Sequence, residues 1–143
     1  MGTRSLTSAA SSCGRTGHDS IGNLAPEHDA ATAHLGEPWR MPTDAEISAL
    51  INNCTTTWIT TNGVFGRLVT GKGNYANRSI FLPAAGGGFD SSLYNPGSSG
   101  YYWSSTPRSD RTWFLYFRSS NFLRDGYYRY LGLSVRPVRG FAE

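Results

Sequence analysis

Thr43-Asp44-Ala45-Glu46-Ile47-Ser48-Ala49-Leu50-Ile51-Asn52-Asn53-Cys54, running on into Thr55-Thr56-Thr57-Trp58-Ile59-Thr60-Thr61-Asn62-Gly63-Val64, changes its hydrophobic period in mid-course. The first half is helical. Thr43 and Glu46 have the spacing of a capping box, in which the hydroxyl takes an amide three residues on and the carboxylate reaches back. Ile47, Leu50 and Ile51 fall at i, i+3 and i+4, one apolar stripe on a helix that ends near Asn52-Asn53. After Cys54 the chain is β-branched around Trp58. Asn62-Gly63 is the strongest short hairpin signal, with residues 64–69 as the returning strand.

Upstream, residues 29–35 predict a short helix closed by Gly36 as an αL cap. Pro38-Trp39-Arg40-Met41-Pro42 is too proline-rich to be helical. Downstream, Ser79-Ile80-Phe81-Leu82 reads as a strand stopped by Pro83. Residues 84–100 read as a long glycine- and serine-rich loop containing Gly86-Gly87-Gly88, and such loops commonly border functional sites. Further strands are predicted at 101–104, 113–117 and 133–138. Helices early and strands late define an α+β fold with antiparallel sheets, not a doubly wound one.

The 143 residues suit one domain, with residues 1–28 as an irregular N-terminal segment ahead of it. A chain of this size buries roughly two-thirds of its unfolded surface, so neither a disulfide nor a metal is needed for folding. Cys13 and Cys54 are the two cysteines, and their spacing leaves a disulfide and two free thiols both open. The first twelve residues have no apolar core and do not form a secretory signal. No stretch approaches ~20 apolar residues, so no membrane span is expected. A role outside the cell would therefore need another route or a carrier assembly.

Enzymatic signatures are missing from the pattern. The three histidines, at 18, 28 and 34, stand beside neither cysteine in a recognisable nucleophile–base motif. His28 and His34 are six apart, not the i, i+4 of paired helical ligands, so no metal site is expected. Asp44 and Glu46 are explained by the helix N-terminus. The three glycines at 86–88 lack the lysine, serine or threonine and the helix of a phosphate loop. No catalytic residue and no cofactor follow from the sequence.

The C-terminal third differs. From residue 100 onward seven arginines (108, 111, 118, 124, 129, 136 and 139) oppose Asp110, Asp125 and Glu143, and twelve of the nineteen aromatic residues lie there. Residues 118–130 show no clean alternation, so their aromatics cannot all face one interior. Tyrosine and arginine exposed together mark a recognition surface. Arginines interleaved with aromatics could also track a nucleic-acid strand, but Asp110 and Asp125 interrupt the patch and lysine is almost absent, which argues against it.

Several stretches resemble one known pattern. They are Trp39-Arg40-Met41-Pro42-Thr43, Ile51-Asn52-Asn53-Cys54, Asn62-Gly63-Val64 and Ile80-Phe81-Leu82-Pro83-Ala84-Ala85-Gly86. Gly100-Tyr101-Tyr102-Trp103-Ser104-Ser105-Thr106 and Arg129 through Gly132-Leu133-Ser134-Val135-Arg136-Pro137-Val138 complete the set. In this order they resemble the bacterial paralogous-domain family named for Fibrobacter, over roughly residues 29 to 139. The resemblance implies a C-type-lectin-like fold of the formylglycine-generating-enzyme type, two short helices packed on antiparallel sheets with long loops, over 29–143.

The C-terminal part also resembles variable proteins of diversity-generating retroelements, in which a reverse transcriptase rewrites adenines of a template repeat. Asparagine codons ending in a pyrimidine cannot thereby become Lys, Glu, Gln, Met or Trp. Residues 107–133 hold none of the first four, and Trp113 is the single tryptophan. The resemblance makes residues 100–139 the variable region, on a scaffold that includes Leu115, Phe117 and Gly132. It assigns ligand contact to Tyr101, Arg108, Ser109, Asp110, Arg111, Trp113, Phe114, Tyr116, Arg118, Ser119, Asn121, Phe122, Leu123, Arg124, Asp125, Tyr127, Tyr128, Tyr130 and Leu131. The implied partner is a protein or glycan on a target surface, met by a domain displayed on a virion or cell. The enzymatic relatives use a late cysteine pair or three histidines, and calcium lectins use Glu-Pro-Asn or Gln-Pro-Asp. Here no cysteine follows Cys54, and Glu37-Pro38-Trp39 is only an echo of the calcium motif.

Overall fold

The structure is a computed structural model and describes residues 23–139. Among the described residues two short α-helices and a set of small antiparallel sheets make an α+β architecture. Helix α1, Ala30–Leu35, starts on Asp29, whose carboxylate accepts the amides of Ala31 and Thr32. Gly36 ends it with φ 73° but ψ 162°, a positive φ that favours glycine but not the αL cap expected. Helix α2, Asp44–Asn53, carries the full capping box: Thr43 Oγ1 accepts the Glu46 amide at 3.2 Å, and Glu46 Oε2 accepts the Thr43 amide at 3.0 Å. Cys54 follows as its C-cap. Cys13 lies outside the described residues, as do residues 1–22 of the segment expected to be irregular.

Strand β1 (Trp39–Arg40) pairs at the base of the fold with β10 (Val138–Arg139). Strands β2 (Thr55–Thr61) and β3 (Val64–Thr70) form the hairpin around Asn62-Gly63, whose φ values of 50° and 79° are those of a type I′ turn. β4 (Ser79–Pro83) completes that sheet. The 84–100 segment is not the unbroken loop expected. Strands β5 (Gly87–Phe89) and β6 (Ser92–Tyr94) form a small hairpin in it, and Gly88 and Gly132 tie that hairpin to the chain after β9 by main-chain hydrogen bonds at 2.6 and 2.8 Å.

The fourth sheet runs β7 (Gly100–Arg108), β8 (Arg111–Phe117), β9 (Phe122–Tyr128), with a register shift between Trp103 and Pro107. β9 occupies part of the stretch that showed no alternation. The strand expected at 133–138 is reduced to bridges and β10, with Tyr102 paired in parallel to Ser134.

Both faces of β7 and β8 are buried. Trp103 and Phe114 point to one side, among Ala30, Ala31, Met41, Leu131, Leu133 and Val135, with Leu24, Tyr101 and Tyr116 packed on them. Tyr102, Leu115 and Phe117 point to the other, against Ile47 of α2, Val69 and Leu82. Gly100 sits where a Cβ would overlap the Phe117 ring, so glycine is required for these strands to pack. No helix among the described residues is long and apolar enough to cross a membrane.

Candidate ligand-binding surface

Of the nineteen expected contact residues, two are core. Phe114 is 3% exposed and Leu131 4% exposed, both within the α1-side cluster. The surface role expected for them is corrected: β8 is covered on both faces, and Leu131 folds under the turn after β9. Tyr101, Trp113, Tyr116, Asn121 and Phe122 are half-buried, Phe122 stacking on Phe117 at 5.8 Å. The other twelve are exposed: Arg108 to Arg111, Arg118, Ser119, Leu123 to Asp125, Tyr127, Tyr128 and Tyr130.

These residues do not form one spot. Arg108 to Arg111 lie at one end of the sheet and Arg118 to Asn121 at the other, separated by the seven residues of β8, roughly 20 Å at the usual strand rise. β9 links the two ends along the sheet edge.

Near the β7–β8 turn, Tyr128 and Tyr130 stack at 5.5 Å with planes 10° apart, and Tyr127 meets Tyr128 edge-on at 5.9 Å. Arg111 lies over the Tyr128 ring at 4.7 Å and donates to its hydroxyl at 3.3 Å. Phe89, from the β5–β6 hairpin, extends this row by meeting the Tyr130 ring at 5.9 Å. With Phe89 53% and Tyr130 60% exposed, the rings face solvent and are not filling a core.

On the α2 side of the sheet, Arg108 and Arg124 both lie over Trp113, at 4.2 and 4.5 Å. Arg124 is paired with Asp44 at the start of α2, and Arg108 stands 3.7 Å from Asp125. The Asp44 amide in turn donates to Thr106 Oγ1 at 2.9 Å. Each arginine charge is thereby partly met within the protein, which leaves flat guanidinium and indole surface more than free charge.

Two arginines that sequence reasoning did not assign to the surface hold its backbone. Arg67 of β3 is only 8% exposed. Its guanidinium donates to the carbonyls of Arg118 (2.8 and 3.1 Å), Ser119 (2.9 Å) and Asn121 (3.3 Å), and to Thr56 Oγ1 at 3.2 Å. Burial lowers its pKa, yet an arginine stays charged at any physiological pH. Arg129 donates to the carbonyls of Arg111 (3.3 Å) and Ser109 (3.0 Å). No local pattern marks Arg67, because its partners lie some fifty residues away. The signal for Phe89 was its place in the glycine-rich segment.

Two tyrosines behind this surface, Tyr94 and Tyr102, are held protonated. Burial, with Tyr101 and Tyr127 as smaller contributors, pushes the Tyr94 phenol up to about 12. Burial raises Tyr102 further still, against a small opposing effect of Arg136. Among the described residues no group of three His, Cys, Asp or Glu could hold a metal ion.

A family profile described as a domain of unknown function (DUF8237) matches residues 70–138. The matched part runs from the last residue of β3 into β10 and contains the whole β7–β8–β9 sheet. Neither the curated proteins nor the solved structures yield a match.

Proposed function

We propose that this protein is a ligand-binding, receptor-like variable protein of a diversity-generating retroelement, built on a C-type-lectin-like scaffold, and not an enzyme. The observation that carries this reading is β9 with its flanking turns. From residue 118 to 130 only Gly126 is buried, while the strand itself is held by its main-chain ladder to β8. A segment fixed by backbone and presenting side chains outward can change those side chains without losing its fold. Tyrosines there offer rigid contact area, arginines charge-assisted bonds, and serine, asparagine and aspartate adaptable ones. The partner is a protein or glycan on a target surface, reached by display on a virion or cell.

The test is DNA sequencing of the locus in independent isolates. A reverse-transcriptase gene should lie beside a near-copy of the codons for residues 100–139, differing at adenines. Isolates should vary at exposed positions such as 119, 123, 127 and 130 and keep Phe114 and Leu131. If no repeat exists and the exposed positions are fixed, the reading fails. An invariant lectin-like module would then be the better description. The row Phe89–Tyr130–Tyr128 favours that second reading, since it suits stacking against a glycan ring or a protein side chain.

A further inference from the structure

Both turns of the β7–β8–β9 sheet are gripped by an arginine that is not among the proposed contact residues. Arg67 donates to the carbonyls of Arg118, Ser119 and Asn121, and Arg129 to those of Ser109 and Arg111. We infer that Arg67 and Arg129 are positioning residues that fix the backbone of the two contact turns whatever side chains those turns carry, position 109 with its positive φ excepted. The inference rests on the reading of these turns as ligand surface, and it explains how such a surface can be rewritten.

The chemistry of the acceptors carries the argument. A turn is ordinarily specified by its own Gly, Asn, Asp or Ser, so rewriting those residues loosens it. Here the acceptors are main-chain carbonyls, which every residue type possesses. The planar guanidinium, with five donors in a fixed fork, spans three carbonyls at once, which an ammonium group cannot do with the same geometry.

The backbone of 118–121 makes no special demand either. None of its residues has positive φ, so any residue but proline can occupy it without strain. The Arg118 amide closes the turn on the Asn121 carbonyl at 3.0 Å as well as on Asn121 Oδ1 at 3.2 Å. Loss of the Asn121 side chain therefore leaves the main-chain closure in place.

The test is a thermodynamic cycle that needs no ligand. Ser119→Tyr, Ser120→Tyr and Asn121→Tyr are combined in the wild-type, Arg67→Met and Arg67→Lys backgrounds, and thermal midpoints are measured. In the wild-type background the triple replacement should lower the midpoint by less than about 3 °C, as surface changes do. In Arg67→Met the same replacement should lower it at least twice as far, with Arg67→Lys in between, because coupled sites are not additive. A parallel cycle pairs Asp110→Tyr with Arg129→Met and should show the same sign of coupling. If Arg67→Met does not fold, the comparison of wild type with Arg67→Lys decides. Equal losses in all backgrounds would reduce Arg67 to an ordinary buried residue and overturn the inference. So would a triple replacement that unfolds the otherwise wild-type protein. Either result leaves the sequencing test of the proposed function standing on its own.

Discussion

The Tyr102 hydroxyl donates to the Pro83 carbonyl at 2.7 Å, joining the sheet that bears the contact surface to the β2–β3–β4 sheet behind it. Tyr102 is 6% exposed and its ring stacks on Phe117. Tyr102→Phe keeps the packing and removes one buried hydrogen bond. It should cost about 1 kcal/mol, lowering the thermal midpoint by about 2–4 °C for a domain of this size.

The burial of Tyr102, and of Tyr94, makes the fold sensitive to alkali. Tyr102 and Tyr94 have their pKa values raised in the folded state, by burial above all. Below about pH 10 both are protonated whether folded or not, and their contribution is complete. Above that pH the unfolded chain loses its phenolic protons first, so stability falls as pH rises from about 10 through 12. A midpoint-versus-pH series should show this decline, and it should be shallower for Tyr102→Phe. An identical slope in the variant would mean that other groups govern the alkaline limb.

Asp29 should matter more than its place at a six-residue helix suggests. Its carboxylate caps α1 and also takes the Met41 amide, at 2.9 and 3.1 Å through its two oxygens. Asp29→Ala loses a cap worth about 1 kcal/mol and strands a buried N–H at about 1–3 kcal/mol. A fall in the urea midpoint with unchanged m-value is the expected signature. Asp29→Asn keeps one acceptor oxygen and should fall less.

Ser109 occupies the first central position of the β7–β8 turn with φ 56°, a conformation that favours glycine. Ser109→Gly should stabilise the protein by up to about 1 kcal/mol by relieving that strain. A loss of stability in the melting curve would show that the serine side chain is needed there.

The division between surface and core is itself testable. Tyr127, Tyr128 and Tyr130 are 46%, 38% and 60% exposed. Replacing all three with alanine should move the melting midpoint by only a few degrees, at about 0.5 kcal/mol per exposed site. Phe114→Ala and Leu131→Ala should each cost about 2–5 kcal/mol, because both are buried. Comparable losses in both sets would mean that the tyrosines are structural.

What could be read from sequence was local. The capping box of α2 and the Asn62-Gly63 turn are complete within a few residues, and both form as expected. β8 hides the orientation of its residues, because both faces are buried and period-two patterning then distinguishes nothing. Phe114 accordingly looked no different from exposed Arg111. β9 was missed for the converse reason: past Phe122 this edge strand is exposed on both faces at 123–125, 127 and 128, with Gly126 against Arg108, and shows no apolar alternation. Arg67 was invisible because its role arises from contacts far along the chain.

β9 is the last strand of its sheet, so half of its main-chain donors and acceptors face outward, as a template on which another chain can pair. Arg124 and Asp125 stand in the middle of that edge, and charges in such places discourage intermolecular stacking. Variants that replace both with apolar residues would keep the fold and aggregate. Selection on this strand would then act through solubility, setting a lower limit on charge at the rim however freely the neighbouring positions change.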